Sequence, residues 1–528
     1  MKERLVEDWL TRINERGYEL PFCQSLLSQG FRILRCGHSP TEHGKDVLAV
    51  SPDGAVCAYQ LKSGDFSQAD VGKHHAQLIM LVETRPIHPG LPASFEYRPF
   101  FVTTGEFKDP AVSLIRELNA GWQHRNLPSL TLIGGRQLLA DFIKLSSDFW
   151  PVEAPEVRRF RELYLVDGRG DLDINQFTRF LVELLRGVKS PLDLERRAAA
   201  ANLFSSYLLG DFYKHVDHWS IVRGWAVCAA QIAWAGLSGK HPEKHWEDAC
   251  KIAKDAALIA LEELAKEVLS EKAFDVRDRE LDDYTRTRNT CALAVAACWQ
   301  LICNQTNPPK SEFQTTLGLV LNHLERGRLF FWGEGALSQF LILIWMLERG
   351  GHKVPAHALL LGLIKGVAEK NTRQSQDPYE DPYTSPDECL AKLFGKQQET
   401  DLSRRKAVES YSLFPMVMLA VRRNLRQQLD ELWRPITDVA LASFGPAAPE
   451  DGLLWHCDKG KEYSQAFARP QSWKELQELL LRDNSERVPK ILRGDPGFAL
   501  LFSLVFQHRI QLSLIKHLDD IFPSPRPN

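Results

Sequence analysis

"GKDVLAVSPDGAVCAYQLKSG" occupies residues 44–64. Two short apolar runs flank Pro52-Asp53-Gly54, the composition of a three-residue hairpin loop in which a type I turn ends on a left-handed glycine. Such a loop sets Ser51 opposite Ala55, and counting back along both strands sets Asp46 opposite Gln60. Opposed residues share a face of the sheet. Lys62, two residues beyond Gln60, shares it too. A two-residue loop would slip the register by one and turn Asp46 to the other side. The turn chemistry therefore gathers a carboxylate, an amide and an ammonium at one end of a sheet, where a strand built only for a core would carry apolar groups. The spacing predicts that this end is an open face, with little core packing on Asp46 or Lys62.

Further strand-like runs surround the hairpin: 31–34, 99–104 and 130–134, each short, apolar and bounded by turn residues. Helical patterns fill the intervals. Residues 19–29 stop at Gly30, 67–84 stop before Pro86, 110–125 open on Asp109-Pro110, and 136–146 follow Gly134-Gly135. The predicted order is helix, three strands, helix, strand, helix, strand, helix, which is an α/β layer architecture around one sheet.

The character of the chain changes near residue 150. The segment 146–159 holds two prolines and little periodicity, as a linker does. Beyond it strand signals nearly vanish. Helical spacing of apolar residues fills 246–274, 290–304, 312–326, 336–348 and 355–370, then 404–442, 472–482 and 497–519. A polar loop rich in Pro and Asp, 372–388, interrupts them. No fixed repeat emerges, so a multi-helix or irregular solenoid-like region is expected. The predicted domains are 1–150 (α/β), 151–372 (all-helical) and 389–528 (a helical continuation or cap).

Length and composition agree with a multidomain globular protein. The chain has 528 residues, 44% of them hydrophobic and 25% charged, with a net charge of -3. That balance gives no global electrostatic signature of nucleic-acid binding, although a local basic channel is compatible with it. The N-terminus lacks the apolar core of a signal peptide. The apolar runs 340–347 and 358–364 are too short to span a bilayer. Ten cysteines without a CxxC pair fit a reducing compartment. The expectation is a cytoplasmic protein without membrane partners.

Asp46 supplies a hard anionic oxygen and Gln60 a neutral one, a donor pair that Mg²⁺ accepts while keeping several waters. Lys62 beside them can steer a water and offset charge on a phosphate. A solvated edge hairpin explains the same spacing. "HVDH" (215–218) and "HPEKHWEDAC" (241–250) have ligand-like residues but complete no zinc set, and "WGEGA" (332–336) lacks the Lys and Ser/Thr of a P-loop. His43 reads as a loop residue, and His74-His75 as partly exposed surface.

The run "GKDVLAV…AYQLKSG" resembles the Mrr-like branch of the PD-(D/E)xK restriction-endonuclease superfamily, with Gly-x-Asp on one strand and Gln-x-Lys on the next. "YELPFCQSLLSQGFRIL" is similar to the family's opening helix, where a Glu stands eleven residues before a Gly-aromatic pair; here these are Glu19 and Gly30-Phe31. "FFVTTGEFKDPAVSLI" and "LTLIGGRQLLADF" resemble its later segments. The resemblance covers about residues 14–143 and implies a restriction-endonuclease-like fold. It implies Asp46 as main metal ligand, Gln60 in place of an acidic ligand, Lys62 as catalytic lysine, and Glu19 approaching from the first helix. It further implies Mg²⁺ or Mn²⁺ as cofactor and DNA as substrate, with RNA left open. Its broader implication is a nuclease of restriction or anti-phage defence whose helical region regulates, recognises, binds a protein partner or self-associates. Lys45 departs from the small or apolar residue that the family often has before the Asp. The rival reading is a non-catalytic nucleic-acid-binding or protein-interaction scaffold with a degenerate nuclease fold.

Overall fold

A computed structural model describes residues 2–36, 45–92, 94–146, 148–151, 154–166, 168–270, 283–304, 311–371, 409–455, 460–466, 473–480, 485–506 and 511–523. The chain divides into two compact units, Met1–Ala260 and Leu261–Asn528.

The first unit opens with two helices, α1 (Lys2–Arg12) and α2 (Glu15–Ser28). Asn14 caps α2 by accepting the Gly17 N–H at 2.9 Å. A five-stranded sheet follows in the order β1 (Arg32–Cys36), β2 (Val47–Val50), β3 (Val56–Lys62), β4 (Tyr97–Thr103), β5 (Thr131–Ile133). β1, β2 and β3 are antiparallel, whereas β3, β4 and β5 run parallel. Parallel neighbours need crossover connections. These are α3 (Gln68–Lys73) with α4 (His75–Glu83), and then α5 (Asp109–His124); α6 (Gly135–Ser146) follows β5. Leu48, Val56 and Ala58 of the hairpin join Leu78, Leu81, Phe101, Ile115 and Trp122 in one core. Pro99 is accommodated in β4 because β5 pairs only with Phe100–Val102. The expected α/β layer is present, and α1 is an added element that the charged N-terminal residues concealed.

Packing continues across 146–159 rather than stopping there. The helices α7 (Ala154–Tyr164), α8 (Ile174–Leu185), α9 (Pro191–Leu208), α10 (Gly210–His215) and α11 (His218–Ser238) belong to the same unit as the sheet. The Trp150 ring meets Phe160 at 5.5 Å and Phe204 at 5.2 Å, and Trp9 meets Tyr207 at 4.7 Å. Trp9 Nε1 donates to Ser206 O at 3.1 Å, and Asn202 Nδ2 to Gln24 Oε1 at 2.8 Å. The expected 1–150 boundary therefore cuts through a shared aromatic layer. Helix α12 (Glu247–Ser270) contains the division between the units.

The second unit holds α13 (Asp283–Cys303), α14 (Ser311–Glu325), α15 (Leu337–Arg349) and α16 (Lys353–Lys370), then shorter helices that include Leu413–Arg422, Arg426–Thr437 and Pro496–Val505. Arg423 is buried between Glu348, at 2.5 and 2.6 Å, and Asp519 at 2.7 Å. The helical remainder carries one departure from the expectation. β6 (Glu409–Ser410), β7 (Ala440–Pro446) and β8 (Gly460–Ala466) form a three-stranded sheet. β7 overlaps the end of the helical stretch read at 404–442. It is a strand because β8 pairs with it along its length. The polar stretch 372–388 lies outside the described residues. No described helix is long and apolar enough to cross a membrane.

Candidate active site at the carboxyl end of the mixed sheet

The hairpin closes as its turn chemistry dictates. Gly54 has φ +88°, its N–H donates to Ser51 O at 2.8 Å, and Ser51 N–H donates to Ala55 O at 2.9 Å. The strand register then pairs Val50 with Val56 and Val47 with Tyr59, which sets Asp46 beside Gln60. The two side chains are bonded directly: Gln60 Nε2 donates to Asp46 Oδ2 at 2.8 Å. The same oxygen accepts the Leu61 N–H at 2.6 Å. The amide oxygen of Gln60 must then face away from the carboxylate, and this buried Oε1 has no hydrogen-bond partner. A buried acceptor without a donor is rare and costly. It is also an unused ligand for a cation or a water.

The expected open face is corrected here. Asp46 is 4% exposed and Gln60 3%. Neither is a solvated hairpin tip, because α2 and the neighbouring strands close over the sheet end. Phe22 of α2 packs edge-on against Tyr59 at 5.0 Å. Tyr18 of α2 donates its hydroxyl to Lys62 O at 2.8 Å and accepts the Lys62 N–H at 3.1 Å. Lys62 Nζ pairs with Glu15 Oε2 at 3.2 Å. Burial pushes the Tyr18 hydroxyl well above its ordinary pKa, and the charges of Glu15, Asp46 and Glu19 add to that shift. The three carboxylates thus act on one buried hydroxyl.

Glu19 is buried on α2, one turn beyond Glu15. That helix is the second of the chain, not the first. Asp46 and Gln60 are bonded to each other, as their predicted register allows, and Lys62 follows two residues beyond Gln60 at the end of β3 with its Nζ on Glu15. Glu15 and Tyr18 were not singled out from the sequence. The available signal was the i, i+4 pairing of Glu15 with Glu19 behind an Asn cap, which puts both acids on one helix face. Lys45 has a different environment from its neighbour Asp46: its buried Nζ donates to Met80 O of α4 at 3.2 Å. Burial, with the Arg35 charge adding, brings its pKa down to about 8.

The end of the sheet that holds these groups is the carboxyl end of the parallel strands, where open α/β sheets place ligands. Gly64 and Gly105 follow β3 and β4 there, and a Cβ on Gly105 would stand 2.4 Å from Asp65 N. The other motifs lie elsewhere. Asp217 of "HVDH" caps α11, and His245 Nδ1 bonds Glu195 Oε2 at 2.8 Å. His74 stacks on Phe66, His75 is exposed, and His43 lies outside the described residues. Glu334 of "WGEGA" is a buried acceptor for Asn371 Nδ2 and Tyr411 N.

Among the described residues no group of three or more His, Cys, Asp and Glu converges as a ready metal cage. The donors at the sheet end are instead one carboxylate, one unpartnered amide oxygen and a nearby glutamate. That set suits a hard cation that keeps most of its waters. No family model, no curated protein and no solved structure matches this chain.

Proposed function

We propose that the first unit is a metal-dependent nuclease of restriction-endonuclease-like fold that hydrolyses phosphodiester bonds, with DNA as its substrate. The observation that carries this reading is the buried Asp46–Gln60 pair with its unpartnered Oε1, set beside Lys62 at the carboxyl end of the sheet. Mg²⁺ or Mn²⁺ would be held by the Asp46 carboxylate with Glu19 and, once the Gln60 amide turns over so that Oε1 takes the place of Nε2 beside the carboxylate, by Gln60, and would supply charge neutralisation at the phosphate and a more acidic bound water. Lys62 has three N–H donors, and Glu15 takes one of them. The others are available to a non-bridging phosphate oxygen and to an attacking water. A partly enclosed site strengthens such contacts, since less solvent screens them.

The helical remainder then serves recognition or restraint, through a protein partner, a second copy or nucleic acid. Restriction or anti-phage defence in the cytoplasm is the role that this combination fits by analogy.

The test is cleavage of plasmid, single-stranded DNA and RNA with and without Mg²⁺ or Mn²⁺. Asp46→Asn and Lys62→Ala should each lower the rate by at least about 100-fold, the scale of a lost electrostatic or acid–base group. Asn is chosen at 46 because Asp46→Ala would strand the Leu61 N–H and the Gln60 amide, a cost of ~1–3 kcal/mol in stability. Absence of metal-dependent cleavage on every substrate would favour the scaffold reading. The satisfied Asp46 Oδ2 and the Glu15-held Lys62 would then be purely internal bonds.

A further inference from the structure

Lys62 is held at both of its ends by one turn of α2. At the main chain, the Tyr18 hydroxyl takes both the carbonyl and the N–H of Lys62. At the tip, Glu15 Oε2 lies 3.2 Å from Nζ. Glu15 and Tyr18 are three residues apart, hence neighbours on one helix face. Their turn is itself fixed by the Asn14 cap on Gly17 N–H.

A lysine side chain is a flexible four-carbon stem carrying a point charge, and an ammonium without a partner samples many positions. Chemistry at a phosphate requires it in one of them. The Lys62 side chain is 12% exposed and that of Glu15 is 33% exposed, so the pair lies at the mouth of the site rather than deep beneath it. Glu15 uses one of three N–H directions. It therefore orients the ammonium without consuming it.

We propose that Glu15 and Tyr18 are positioning residues for Lys62: α2 sets where the ammonium stands before substrate arrives. The proposal rests on the nuclease reading for its kinetic consequence. The hold on Lys62 itself can be measured without any cleavage.

Two measurements on the full chain test it. In the first, Glu15→Ala should lower kcat about tenfold or more with KM within about twofold, the pattern of a contact that matters in the transition state. Glu15→Gln, whose amide oxygen still accepts a hydrogen bond, should recover most of that loss. In a Lys62→Ala background, Glu15→Ala should cost nothing further, because the two act as one unit. Equal, multiplying losses in the two backgrounds would show a general structural role and overturn the proposal.

The second readout is the rate of reductive methylation of the Lys62 amine, followed by peptide mass spectrometry. Glu15→Ala should raise that rate several-fold over wild type, since the amine is released from its partner, and Glu15→Gln should give a smaller rise. An unchanged rate in Glu15→Ala would mean that Glu15 does not hold Lys62. If the wild-type protein cleaves nothing, the nuclease reading fails, and the labelling rates alone decide whether α2 holds Lys62.

Discussion

Lys45 and Asp46 are adjacent, yet the fold treats their charges in opposite ways. Asp46 receives two N–H donors. Lys45 is taken out of water, its Nζ donating to the Met80 carbonyl. Its pKa falls from the ordinary 10.5 to about 8, so the folded state binds this proton less tightly than the unfolded chain. Protonation therefore opposes folding fully below about pH 8, the penalty is relieved as pH rises from 8 towards 10.5, and above that it is gone. Lys45→Met keeps the length of the stem and removes the charge. It should raise the unfolding free energy at pH 7 by ~1–3 kcal/mol, the scale of a shift of this size less a lost hydrogen bond. The gain should shrink steadily between pH 8 and pH 10, read as the difference in denaturant midpoint across pH. A gain independent of pH would mean that packing, not charge, sets the effect.

At the scale of elements, the hairpin was the legible part. Pro52-Asp53-Gly54 defines a loop length, the loop defines a register, and the register brings Asp46 to Gln60. All of that is local chemistry. The strand β7 was not legible, because "ALASFGP" becomes a strand through pairing with residues 460–466, a partner that no local pattern reveals. Glu15 was overlooked for a similar reason: its meaning depends on Lys62, 47 residues away. The close approach of β3 and β4 beyond their ends is another such non-local feature. Gly105 allows it, since a Cβ there would stand 2.4 Å from Gly64 C and Asp65 N, and backbone atoms cannot yield as a side-chain tip can. Gly105→Ala should force the two strand ends apart. The expected cost is ~2 kcal/mol or more in stability, as for overpacking elsewhere, together with a fall in any activity that depends on Lys62. A variant with wild-type stability would show that the loops adjust without moving the strands.

For the molecule as a whole, the decisive feature is how α2 is buried. Ten consecutive residues, Gly17 to Leu26, are out of solvent. A helix covered on one side only shows an exposed stripe; one covered all round has neighbours on every side. The sheet supplies one side through Phe22 and Tyr59. α9 supplies another, itself buried from Ala198 to Leu208. Sequence patterning placed a boundary near residue 150 because strands cease there, but a change of secondary structure is not a break in packing. A fragment of residues 1–150 would lose α9 and expose Trp9, Phe142, Trp150 and the outer face of α2, which the intact unit covers with Phe204, Tyr207 and their neighbours. Each large side chain uncovered costs about 1.5–3 kcal/mol, and several together reach the whole stability of a typical domain, about 5–15 kcal/mol. Residues 1–260 keep the layer intact. The 1–260 fragment should therefore unfold cooperatively and resist limited proteolysis, while 1–150 should show no cooperative transition or melt at least ~10 °C lower, the shift that a few kcal/mol produces in a domain of this size. A fragment 1–150 that melts as sharply and as high as 1–260 would show that the α/β layer stands alone and that the aromatic layer is incidental to it. If 1–260 is the minimal folded unit, the lysine that α2 positions and the sheet end that carries Asp46 are both held in place by helices from beyond the apparent linker.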